Sequence, residues 1–219
     1  MKKNWILLLL LSLLFSCSHH YPKHWYKPVE GKVKWWEITP DQAKEGEVIL
    51  SKRNELGILS NFSHTPFRYD GKKYESIEGA WQAMKFPEDS ADSSDPRNSK
   101  KLKWGHKRSE VEKMIAFKAK DAGKIGSKNM KKLKINWVTY KGKRMTYRTS
   151  KKGEHYKVIR AMMVEKVKQN PEVRKILLAT GDLKLLPDHK VSPSSPPAWK
   201  YYDIYTEFRE LLKSGKKLE

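Results

Sequence analysis

Near residue 100 the apolar residues of this chain change their spacing, and that change limits the fold it can adopt. Upstream, Val48-Ile49-Leu50 reads as a short strand. Thr65-Pro66-Phe67-Arg68-Tyr69, then Asp70-Gly71, then Lys72-Lys73-Tyr74 reads as a hairpin, because Asp-Gly tolerates the positive φ values of a primed turn. An edge strand is expected near Val33 to Ile38. Residues 88–99 are rich in Ser, Asp and Pro without a period, which marks an exposed loop. Downstream the pattern is helical. Ser109 and Glu112 read as a capping box ahead of Val111, Met114, Ile115, Lys118 and Ala119, with Gly123 as the stop. Ile159, Met162, Met163 and Val167 recur at i, i+3, i+4 and i+8, and Asn170-Pro171 ends that helix and opens another over Val173 to Leu178. Ile204, Phe208, Leu211 and Leu212 make a closing helix with the same spacing. The expectation is an α+β fold: a mostly helical single domain with a small β-hairpin or sheet and no internal repeat.

The first residues carry a different message. Lys2 and Lys3 precede an apolar run from Trp5 to Leu11, continued by Leu13, Leu14 and Phe15, which is the order of a secretory signal peptide. The run holds about a dozen residues where a bilayer span needs roughly 20, so an uncleaved anchor helix is disfavoured. Leu14-Phe15-Ser16-Cys17 resembles a bacterial lipobox, so cleavage is expected before Cys17 and lipidation on it. Ser18 after that cysteine resembles outer-membrane sorting, and the expected location is the cell envelope, lipid-anchored to a bacterial membrane. Cys17 is also the only cysteine, so the chain forms no internal disulfide and must be stabilised by packing. The expected organisation is a signal peptide over residues 1–16, a lipidated tether and edge strand over 17–45, one domain over 46–214 and a basic tail over 215–219. His19, His20 and His24 have no cysteine or carboxylate nearby at ligand spacing, so no metal is expected, and no cofactor. The tether's Trp25, Tyr26, Trp35 and Trp36 suit a membrane interface, where rings with one wet end are favoured.

The formal net charge is +21, of which the leader takes only Lys2 and Lys3. Anionic partners follow. An exported, lipid-anchored chain meets lipid phosphates, lipopolysaccharide and small phosphorylated ligands, and no specific nucleic-acid partner is expected. The lysines are spread along the whole chain, which equally suits a solvated basic surface.

Between the hairpin and the loop lies Ser76-Ile77-Glu78-Gly79-Ala80-Trp81-Gln82-Ala83-Met84-Lys85-Phe86. Wound into a helix, it places Glu78, Trp81, Gln82 and Lys85 on one face and Ala80, Ala83 and Met84 on the other. Leu59-Ser60-Asn61-Phe62, the hairpin and this Glu-x-x-Trp-Gln-x-x-Lys segment resemble the NADAR (YbiA-like) family. Asn136-Trp137, the helix from His155 to Asn170 and Leu177-Leu178-Ala179-Thr180-Gly181-Asp182 stand in the family's order, so the resemblance covers about residues 48–213.

The resemblance implies a domain that binds NAD-, ADP-ribose- or riboflavin-precursor-like compounds and, in some members, hydrolyses an N-glycosidic bond at a ribose carbon. Glu78 is the candidate catalytic carboxylate. Asn61 and Gln82 are candidates to hold ribose hydroxyls, Phe62 and Trp81 to stack on a flat ring, and Lys85 to meet phosphate. Trp137, Asp182 and Trp199 complete the candidate ligand set, with Tyr147, His155 and Tyr156 as further possible lining. The chain departs from the family where Pro187 replaces a usual glutamate, followed by Asp188-His189 and later Pro196-Pro197-Ala198-Trp199. This looks like a divergent branch in which Asp188 and His189 are substitutes. A hydrolase, a binding module without turnover and a basic envelope-binding lipoprotein remain the three readings.

Overall fold

Turn chemistry sets the first element pair. A computed structural model describes residues 21–89 and 94–219. The leader, Cys17, His19 and His20 lie outside the described residues. Phe67–Tyr69 (β2) and Lys72–Tyr74 (β3) pair antiparallel across Asp70 (φ 55) and Gly71 (φ 82), as a primed turn requires. Phe67 and Tyr74 face each other across this pair, and their stacked rings lie 5.6 Å apart on the buried side. A second hairpin joins Trp137–Tyr140 (β4) to Lys143–Thr146 (β5) through Lys141 and Gly142, again at positive φ. The strand expected at residues 48–50 is Glu47–Leu50 (β1), and its partner is Lys184–Pro187 (β6), paired in parallel. Among the described residues the strands form three separate two-stranded sheets. The edge strand expected near Val33 to Ile38 is reduced to one bridge, Glu37 to His189, with Ile38 N–H donating to the Asp188 carbonyl at 2.8 Å.

Among the described residues, six α-helices provide the bulk of the domain: Ile77–Ala83 (α1), Arg108–Val111 (α2), Ala116–Lys132 (α3), Glu154–Gln169 (α4), Pro171–Ala179 (α5) and Tyr201–Lys213 (α6). The fold is α+β, a mostly helical single domain. The break between α4 and α5 falls at Asn170-Pro171, since proline removes an amide donor but suits the first turn of a new helix. The apolar stripe of α4, Ile159, Met162, Met163 and Val167, is fully buried, and α6 adds Ile204, Tyr205 and Phe208 to the same core. Each such side chain contributes on the order of 1.5–3 kcal/mol by leaving water.

Two local expectations are overturned. The capping of α2 involves Lys107, whose N–H donates to the Glu110 carboxylate at 2.7 Å, and not Ser109 with Glu112. Gly123 does not stop a helix. It lies inside α3, which starts afresh at Ala116 and runs on past Gly126 because the two glycines meet a neighbouring helix.

Both ends of the described chain are folded onto the domain. Trp25, expected in a tether, is 1% exposed, and its indole N–H donates to Glu55 at 2.5 Å. Tyr21 accepts the Asp182 N–H at 3.0 Å. Among the described residues, Tyr21 and Trp25 therefore pack against the same core as the rest of the domain. In the segment expected as a basic tail, Leu218 is buried in the main core. Within the expected loop, Arg97 is buried, paired with Asp95 at 2.7 Å and stacked 4.7 Å from the Trp137 ring centre. No helix among the described residues is long and apolar enough to cross a membrane.

Candidate functional site

The site is built around α1. Ser76 caps this helix by accepting the Gly79 N–H at 2.9 Å, and its hydroxyl donates to the Met114 carbonyl at 2.9 Å. A methyl group on Gly79 would strike that same carbonyl, so the start of α1 is pressed against the α2–α3 connection. On α3 the absence of side chains at Gly123 and Gly126 lets the helix approach Gln82 and Lys85. The Lys85 ammonium closes the contact by donating to the Gly123 carbonyl at 3.2 Å and to Ser127 Oγ at 2.9 Å.

Beside this contact opens a cleft of about 670 Å³. Helix α1 presents Glu78, Trp81 and Gln82 to it, the turn that follows presents Lys85, and the loop after the 3-10 turn Glu55–Leu59 presents Ser60, Asn61 and Phe62. The two elements are stitched together, because Glu78 N–H donates to the Asn61 carbonyl at 2.9 Å. The Glu78 carboxylate is 8% exposed and accepts from Gln82 Nε2 at 2.8 Å. Burial raises its pKa above that of an ordinary glutamate, while the Gln82 bond and the charges of Lys85, Lys120 and Lys52 pull the other way. Asn61 Oδ1 and Gln82 Oε1 are buried and have no hydrogen-bond partner among the described residues. Two acceptors therefore flank the carboxylate, open to donors from a ligand.

Around this centre the cleft is cationic. Lys52, Lys85, Lys120, Lys124, Arg148 and Lys190 line it against the single acid Glu78. Burial lowers the Lys85 pKa to about 8, opposed by Glu78, so its charge at neutral pH is retained but readily given up. The remaining wall is aromatic. Lys120 sits 5.9 Å from the Phe62 ring centre and 5.7 Å from that of Phe117, and Arg148 lies 5.4 Å from the Trp199 ring. Flat, negatively charged ligands fit such a lining.

His189 lines the cleft, and Asp188 is buried beside it, outside the lining. Asp188 is 2% exposed and accepts from Lys52 Nζ at 2.5 Å, and its other oxygen lies 3.0 Å from His189 Nδ1. Burial works to raise its pKa, but the His189 bond and the Lys52 ammonium outweigh it and hold the carboxyl below the ordinary range. With Nδ1 engaged, His189 lines the cleft with the rest of its ring.

Besides Asp188, two further candidates lie outside the cleft. The Trp137 ring is packed between Arg97 and Arg144, 4.7 and 4.4 Å from its centre. Asp182 pairs with Lys213 at the opposite end of β6 from Asp188. Tyr147 lines the cleft, His155 lies buried behind it against Trp81, and Tyr156 belongs to the core. Sequence reading missed Lys52, Trp36, Arg148 and the α3 row Lys120, Lys124 and Ser127. The i, i+4, i+7 spacing of that row was the available signal, hidden among many other lysines.

No family model matches the sequence, and neither does any curated protein. Among solved structures, the NMR structure of the E. coli protein YbiA is similar, at 21% sequence identity over 80% of this chain and 90% of that chain, with a TM-score of 0.48.

Proposed function

We propose that this protein hydrolyses the N-glycosidic bond of a ribose-containing, phosphate-bearing metabolite or ADP-ribosyl adduct. The observation that carries the reading is the single buried carboxylate of Glu78, flanked by two unpartnered amide oxygens in a cleft otherwise cationic and aromatic. Cleavage of such a bond develops positive charge at the anomeric carbon, which a carboxylate stabilises. The C–N electron pair leaves with the base, which takes a proton from His189, positioned by Asp188. Water forms the new C–O bond and gives its proton to Glu78, which burial makes a stronger proton acceptor than an exposed glutamate. Asn61 Oδ1 and Gln82 Oε1 accept from ribose hydroxyls, Phe62, Trp81 and Trp199 stack on flat rings, and Lys85 with the α3 lysines meets phosphate. The family resemblance of the ordered motifs points the same way.

Glu78→Gln tests the reading. It keeps the volume and removes the charge, so turnover should fall at least about a hundredfold, roughly 2.7 kcal/mol, with little change in affinity. The measurement pairs calorimetric binding of ADP-ribose and NAD with chromatographic detection of released base. Undiminished turnover in the variant would sink the catalytic assignment. The second reading is a binding module without turnover, favoured by the departure at Pro187 and predicting intact binding with no hydrolysis by either form.

The same proposal places the domain in the cell envelope, lipid-anchored through Cys17 on the strength of the leader and lipobox. Cys17→Ser should move the protein from the membrane fraction to the soluble one without unfolding it. Equal membrane retention would refute the anchor.

A further inference from the structure

Lys166, on α4, is 0% exposed and lies outside the cleft lining. Its ammonium donates to the Ser60 carbonyl and to Ser63 Oγ, both at 2.9 Å, and lies 5.8 Å from the Tyr205 ring centre. Burial alone lowers its pKa to about 7, and no carboxylate offsets it. An unpaired buried cation is costly, and a fold retains one where it does something an apolar side chain cannot. Satisfying the backbone is not that task, since the Ser60 carbonyl already accepts the Ser63 N–H at 3.2 Å.

What the ammonium touches is the short loop on which the site converges. From that loop the Asn61 carbonyl takes the Glu78 N–H of α1 at 2.9 Å, and the Phe62 carbonyl takes the Ala116 N–H of α3 at 3.2 Å. Lys166 holds the same four residues from the third side. We infer that Lys166 is a positioning residue: from behind the cleft it fixes the 60–63 loop, and through that loop sets how Asn61 and Phe62 meet the ligand and where α1 holds Glu78. The inference rests on the reading of the cleft as the ligand site and adds a residue that never meets the ligand.

The test uses the full chain with Lys166→Met, close in volume and unable to donate, and Ser63→Ala, which removes the second acceptor. Native-state amide exchange, thermal melting and ADP-ribose titration are measured for each and for the double variant. Lys166→Met should melt no lower than the parent, yet its Glu78 and Ala116 amides should exchange at least about tenfold faster while the amides of α4 are unchanged. ADP-ribose should bind about tenfold more weakly. Ser63→Ala should loosen the same two amides, and the double variant no more than Lys166→Met alone. Unchanged exchange at Glu78 in Lys166→Met overturns the inference, and so does a uniform loss of protection accompanied by a lower melting temperature, which would make Lys166 a residue of the fold only. If the parent itself fails to bind ADP-ribose, the proposed function falls, while the exchange measurements still decide the role of Lys166.

Discussion

Acidification should destabilise this protein through His155. The imidazole is 3% exposed, packed edge-on to Trp81 at 5.1 Å and to Tyr147 at 5.2 Å, and its Nε2 has no hydrogen-bond partner among the described residues. Burial, with a smaller push from Lys85, lowers its pKa to about 4 from the ordinary 6.5. Between these values the unfolded chain binds a proton that the folded chain refuses, so stability falls as the pH drops through that window, and the loss is complete below about 4. At roughly 1.4 kcal/mol per pH unit the full gap is worth about 3 kcal/mol, most of which should be lost by about pH 4.5. Urea denaturation at about pH 7.5 and about pH 4.5 measures the loss, with His155→Phe as the control that keeps a flat ring and removes the titration. Other groups titrate in both proteins, so the difference between the two losses isolates His155. If the variant loses as much stability as the parent, the argument from burial is refuted.

Gly123→Ala places a methyl group where the Gln82 amide lies, and that amide is the mobile end of a side chain. Stability should change by less than about 1 kcal/mol, because alanine is the better helix former, while loss of the Gln82 to Glu78 bond should weaken ADP-ribose binding about tenfold; unchanged affinity in calorimetry would count against the site. Arg97→Met leaves the buried Asp95 without its guanidinium partner, and should cost about 3–5 kcal/mol in a urea titration. A cost below about 1 kcal/mol would show that the pair is structurally idle.

Local chemistry made part of this protein legible before any coordinates. Asp70-Gly71 determines a primed turn because its preference lies in two backbone dihedrals, and Asn170-Pro171 separates two helices because a missing amide acts where it stands. The 3.6-residue period put Glu78, Trp81, Gln82 and Lys85 on one face, and those four side chains line the cleft together. Where a partner far along the chain decides, the residues are silent. The partner of β1 is β6, with Glu47 meeting Lys184 across 137 positions, and the short apolar run Val48-Ile49-Leu50 carries no record of which strand it joins. Gly123 reads as a helix stop by its own propensity, yet the proximity of Gln82 makes it a contact point inside a helix. Trp137 and Asp182 looked like ligand residues by order along the chain, but packing against two arginines and pairing with Lys213 turned them elsewhere. The sequence by itself determined residue types, helical faces and turns, because these depend on neighbours within a few positions. Only the tertiary structure decided which lysines surround Glu78, that its carboxylate is buried, and that Lys166 reaches the loop beneath it, because burial and charge proximity exist only once distant segments have packed.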